Sequence, residues 1–184
     1  RVSKLPDDNN EAYRVGEDVS VKGLLRIENK GGDLSETYTV VRPSKQISSG
    51  TNTDITWLET GDKDTGWTHI KGRHISGTIG LDKKQITSFF PVGQTVKGRK
   101  LPSKISNHGV KSLIQKAVKR DDNPEVGRTG NIEYTYESNK KHIEEIIVRV
   151  NPNTGEIVGA FPEGDATAVK QWISAEQEWL DRLQ

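Results

Sequence analysis

Three short runs constrain the fold of this chain most: Asn131–Glu137 (NIEYTYE), His142–Val150 (HIEEIIVRV) and Glu156–Phe161 (EIVGAF). Each reads as a β-strand candidate. Asn151-Pro152-Asn153-Thr154-Gly155 joins the last two and carries strong turn chemistry. Connections this short favour an antiparallel meander over parallel crossovers. Ser106 or Asn107 can cap a helix that runs to about Arg120, with Val110, Leu113, Ile114, Ala117 and Val118 as its apolar stripe. Lys111, Lys116 and Lys119 are expected outside that stripe. Ala166–Leu183 reads as a further amphipathic helix, with Val169, Trp172, Ile173, Trp179, Leu180 and Leu183 on one side. The expected class is therefore α+β, with helices packed on an antiparallel meander.

Upstream, residues 1–18 are polar and read as a linker or a loosely held arm. Val19–Ile27 and Thr37–Val41 read as strands around the turn residues Asn29-Lys30-Gly31-Gly32-Asp33, and Asp54–Leu58 as one more short strand. Ser44–Thr53 and Val92–Pro102 read as loops, and Phe89-Phe90-Pro91 should be buried and end its element. This divides the chain into a strand-containing extension over 1–60, a domain over 61–164, and a C-terminal helix over 165–184 packed on it. Cys is absent, which excludes disulfides and thiolate metal sites. No apolar run is long enough to span a membrane. Met is absent as well, and the expectation is a piece or processed product of a longer protein.

A net charge of +1 hides a marked asymmetry. Ten of the 27 Lys and Arg lie between Lys83 and Arg120, with no Asp or Glu among them, so all 26 acidic residues lie elsewhere. Clustered cations of this kind suit a polyanion such as a nucleic-acid backbone. Just upstream, Gly66–Ile75 (GWTHIKGRHI) holds His69 and His74 with Lys71 and Arg73, and no acidic residue. Metal-free RNA cleavage needs a base for the ribose 2′-hydroxyl, an acid for the departing 5′ oxygen, and donors for the phosphoryl oxygens. Histidine as a class can play either proton-transfer role near neutrality. Spaced five apart, the two imidazoles share neither a helix face nor a strand face, and they converge only if Gly72 bends the segment. A zinc site would lack an obvious third ligand, so neither metal nor cofactor is expected. His108 and His142 read as surface or capping residues, and Trp67 as a core anchor. Tyr134 and Tyr136 share one face, which is either the core side or the substrate side.

The order of these pieces resembles the bacterial EndoU nucleases, toxin domains at the C-terminal ends of polymorphic and contact-dependent inhibition proteins. The matching pieces are His69-Ile70, Arg73-His74, Phe90-Pro91, the helix Val110–Val118 and Gly155–Pro162 (GEIVGAFP), over roughly 67–162. The resemblance extends to the wider group of barnase-like and colicin-type RNases. It implies a metal-independent endoribonuclease, often acting on tRNA, that leaves a 2′,3′-cyclic phosphate. On that reading His69 and His74 are the acid/base pair, and Arg73, Lys97, Lys100 and Lys104 contact phosphate. Gly159 and Phe161 stand where the family has a hydroxyl residue and often Tyr, so Thr87, Ser88, Thr135 or Tyr136 is expected to supply the hydroxyl. Such a toxin is secreted within a larger protein, acts in the target-cell cytoplasm and is neutralised by a cognate immunity protein, expected to be acidic. Two rivals remain open: a non-enzymatic nucleic-acid-binding module, and a structural or delivery domain.

Overall fold

A computed structural model describes residues 21–43, 45, 55–80, 86–138, 143–163, 169–172 and 179–181. Its elements in chain order are α1 (Val21–Asn29), β1 (Thr37–Val41), β2 (Thr56–Glu59), α2 (Gly66–His74), β3 (Ile86–Ser88), β4 (Thr95–Val96), β5 (Arg99–Lys100), α3 (Asn107–Arg120), β6 (Glu125–Val126), β7 (Ile132–Glu137), β8 (Glu145–Val150), β9 (Ile157–Glu163), β10 (Val169–Trp172) and β11 (Trp179–Asp181). The fold is α+β, and its centre is the antiparallel sheet β6-β7-β8-β9.

The expected meander and helix are both present. Ile132, Tyr134, Ile146, Val148, Val150, Ile157 and Ala160 turn to one face of the sheet and are fully buried there. α3 lies against β7 and β8 on that face, and Val110, Leu113, Ile114, Ala117 and Val118 are buried in the same core. Burial of each Val, Leu or Ile side chain among them is worth about 1.5–3 kcal/mol. Ser106 caps α3 by accepting a hydrogen bond from the Gly109 amide at 2.9 Å. Lys111 departs from expectation: it is buried, with its ammonium 3.9 Å from the Tyr38 ring centre and 4.7 Å from that of Trp67. Two aromatic faces supply the environment that admits a cation there.

Val19–Ile27 was expected as a strand, but the described part is helical. Leu24 and Ile27, three apart, are buried while Leu25 is 52% exposed, a helical pattern. The glycines read as a hairpin turn instead close the helix, as Gly31 and Gly32 donate to the carbonyls of Glu28 and Ile27. β1 and β2, both expected as strands, pair antiparallel with each other. Their side chains divide: Val40 and Trp57 join Leu24, Ile27 and Ile55 in a small core, whereas Val41 and Leu58 join the main one.

Phe89 and Phe90 are fully buried where β3 ends, as expected. The loop expected over Val92–Pro102 contains the tight hairpin β4–β5, with Lys97 at φ 49° in its turn. The C-terminal helix expected over 166–183 falls mainly outside the described residues. Its two described pieces are strands, with β10 pairing both β11 and β3. Among the described residues, no helix is long and apolar enough to cross a membrane.

Candidate active site

α2 positions both histidines. The Asp62 carboxylate accepts from the amides of Asp64 and Thr65 and turns the chain into the helix. Trp67 and Ile70, three apart, anchor α2 in the main core. The helix runs unbroken through Gly72, so the bend that would bring the two rings together does not occur. Gly72 instead allows a close approach, because a Cβ there would run into Ile79 Cδ1. Side chains five apart on a helix leave it about 140° apart. The two histidines therefore enter different surroundings, although both lie against β9.

His74 points inward. It is 9% exposed, and its Nδ1 lies 2.8 Å from the Ser88 carbonyl. A carbonyl only accepts, so Nδ1 carries the proton. The ring lies 5.6 Å from the Phe161 ring centre. Burial pushes its pKa down to about 3, opposed by the bond to Ser88 and assisted by Arg73, His69 and Arg149. At neutral pH His74 is uncharged, and its one N–H proton is engaged by the Ser88 carbonyl.

His69 points outward. It is half-buried, with Nδ1 2.7 Å from the Lys63 carbonyl. The same argument puts a proton on Nδ1 and leaves Nε2 outside that bond. The ring covers Gly159, where an added Cβ would stand 3.6 Å from His69 Cδ2 and 3.8 Å from Nε2.

Beside His69, the sheet register sets a row of residues on the face opposite α3. Glu133 pairs with Arg149 and Arg149 with Gly159, so the row reads Glu133, Arg149, Gly159, with His69 over its end. Arg149 Nε donates to Glu133 Oε2 at 2.9 Å, and its guanidinium lies 4.8 Å from the Phe161 ring centre. The register between β8 and β9 shifts after Arg149, because Val158 is an extra residue in β9. This bulge resets the alternation, so Ile157 and Ala160 both face the core while Gly159 faces the row.

The other expected site residues scatter. Arg73 donates from Nη1 to the Gly80 carbonyl at 3.0 Å and ties down the loop after α2. Lys97 and Lys100 are exposed on the β4–β5 hairpin and Lys104 is exposed beyond it. No hydrogen bond or ion pair among the described residues joins these lysines to either histidine. Thr87 is buried, its hydroxyl without a hydrogen-bond partner among the described residues, and Ser88 meets His74 through its carbonyl. Tyr136 pairs with Ile146 on the core side, away from the row, and Tyr134 is fully buried. Thr135 alone of the hydroxyl candidates is on the same face as Glu133 and Arg149. His108 is in the first turn of α3, and His142 lies outside the described residues.

Glu133 and Arg149 were missed in the sequence. Their signal was a single charge between two core-facing residues, Glu133 between Ile132 and Tyr134 and Arg149 between Val148 and Val150. The described residues contain no group of three or more His, Cys, Asp and Glu that could hold a metal. No protein-family model matches the chain, and no curated protein sequence matches it.

Proposed function

We propose that this chain is a metal-independent endoribonuclease of the EndoU-like toxin type. The observation that carries the reading is the Glu133–Arg149–Gly159 row with the half-exposed His69 ring over its end. Neighbouring strands are about 4.8 Å apart, so the row spans roughly 10 Å, with the guanidinium between the carboxylate and the imidazole. A phosphodiester seated on Arg149 has its two non-bridging oxygens toward a fork of N–H donors. The 2′-oxygen attacks phosphorus as its proton passes to a base at one end of the row. The bond to the 5′ oxygen breaks as an acid at the other end protonates it, leaving a 2′,3′-cyclic phosphate. Glu133 serves as the base and protonated His69, through Nε2, as the acid. His74 is a positioning residue, which sets Phe161 beneath Arg149.

The same reading makes the chain a toxin of interbacterial competition, carried within a longer secreted protein and held in check by an acidic immunity protein. The basic segment 83–120 supports such a partner through charge complementarity. The test is incubation of cellular RNA with the protein in EDTA. Cleavage, lost in His69→Ala, is expected. Binding of RNA without cleavage by the wild-type protein would favour a non-enzymatic nucleic-acid-binding module.

A further inference from the structure

The partner of His69 Nδ1 belongs to a short loop between β2 and α2, and that loop is built with care. Gly61 at φ 63° and Gly66 at φ 80° stand where it doubles back. Their backbones touch: a Cβ on Gly66 would lie 3.0 Å from Gly61 Cα and 2.8 Å from the Glu59 carbonyl oxygen. Inside the loop the Asp62 amide donates to the Thr65 carbonyl at 2.9 Å. Asp62 Oδ1 accepts in return from the amides of Asp64 at 2.8 Å and Thr65 at 3.1 Å. Thr65 Oγ1 donates to Glu156 Oε1 at 3.2 Å, which ties the turn to the residue that precedes β9. The Lys63 and Asp64 side chains pair with each other in solvent at 3.2 Å and contribute little. What the turn holds up is the Lys63 carbonyl, 2.7 Å from His69 Nδ1.

We propose that Asp62 is a positioning residue for His69: its turn aims the Lys63 carbonyl, and the carbonyl keeps the proton of the neutral ring on Nδ1, so that Nε2 alone exchanges a proton above Gly159. This rests on the nuclease reading for what Nε2 does. A neutral imidazole carries its one proton on either nitrogen, and the bond made by one nitrogen decides which. A ring released from the carbonyl populates both tautomers and is free to rotate. Protonated His69 gives its Nε2 proton to the departing 5′ oxygen and keeps the one on Nδ1. The neutral ring left behind is the tautomer that the Lys63 carbonyl stabilises, so no second proton movement is needed within the ring. Asp62 does this without touching substrate. The turn requires an acceptor oxygen at position 62, and its charge is incidental.

The experiment reads the tautomer directly, by nitrogen-15 NMR of histidine-labelled protein at about pH 8.5, where imidazole is neutral. His69→Ala assigns the ring by the signals it removes. Wild-type His69 is expected as the Nδ1–H form. Asp62→Ala, in an exposed loop, should leave the melting temperature nearly unchanged. It should turn the His69 signals into those of a mixture of both tautomers, and lower kcat for RNA cleavage by about tenfold with KM unchanged. Asp62→Asn, whose side-chain oxygen still accepts from both amides, should keep the wild-type tautomer and rate. A wild-type His69 in the Nε2–H form, an Asp62→Ala protein with its tautomer intact, or an Asp62→Asn protein that behaves like Asp62→Ala overturns the proposal. Should Asp62→Ala melt early, the tautomer is read from its folded signals and the Asp62→Asn comparison still decides. RNA cleavage by the wild type judges the nuclease reading separately. Cleavage with the tautomer unchanged in Asp62→Ala sinks the positioning role alone, and a tautomer lost in Asp62→Ala without any cleavage by the wild type sinks the nuclease alone.

Discussion

His69 and His74 are the same side chain, on the same helix, against the same strand, and their environments are opposite. Around His69 the helix meets Gly159, and the absent side chain leaves the ring half-exposed beside Arg149 and Glu133. Around His74 the helix meets Phe161 and the end of β3, and the ring is closed in, neutral and bonded to Ser88. The contrast teaches that an imidazole gains a chemical role from what the neighbouring strand omits. A glycine opens one position and a phenylalanine closes the other.

The largest effect should come from the row itself. Arg149→Ala removes the only cation set between Glu133 and His69 in the row, and single-turnover RNA cleavage is expected to fall by about 10²–10³-fold. Glu133→Gln keeps the shape and should lose about 10²-fold. Cleavage within threefold of wild type in both would take the site away from this face.

Acid should separate the two histidines by stability. Unfolded His74 returns to its ordinary value of 6.5, whereas in the fold it lies at about 3. Between those pH values the unfolded chain binds a proton that the folded chain refuses, so stability falls as pH drops below 6.5. The loss from this one ring is about 2 kcal/mol by pH 5. Glu156 works in the other direction, because burial and Glu59 hold its carboxyl above the usual range and favour the fold as pH falls. It is common to wild type and His74→Asn, so the difference between their urea melts at pH 7.5 and pH 5 isolates His74. Identical pH dependence in the two proteins would mean that His74 is not closed in.

The smallest effect is expected at the lysines read as phosphate contacts. Lys97 and Lys100 are exposed on the β4–β5 hairpin, unconnected to the row by any hydrogen bond or ion pair among the described residues. Lys97→Glu with Lys100→Glu should weaken RNA binding less than tenfold and flatten the salt slope by about one or two. A fall in kcat on the scale of Arg149→Ala would bring the hairpin into the site.

Much of the fold was legible because it rests on local periodicity. α3 showed its stripe and its serine cap, and β7 to β9 showed strand-like runs and the Pro-Asn-Thr-Gly turn. α1 was not legible, since VSVKGLLRI fits a period of two at its start and of three at its end, and a glycine pair closes either a hairpin or a helix. The site was half legible. Composition marked His69 and His74 together, but what separates them is tertiary: Ser88, Gly159 and Phe161 come from other elements. Arg149 and Glu133 became neighbours of His69 only through strand register and the bulge at Val158, which no local pattern encodes.

The account stands on the division of labour along α2, and one paired measurement tests it most directly. Single-turnover RNA cleavage, corrected for the folded fraction, should be compared in His69→Ala and His74→Asn, the latter keeping a donor within reach of the Ser88 carbonyl. The account predicts a loss of about 10²-fold or more in His69→Ala and a change of less than about fivefold in folded His74→Asn. A well-folded His74→Asn as inactive as His69→Ala, or a His69→Ala that cuts at the wild-type rate, would contradict it.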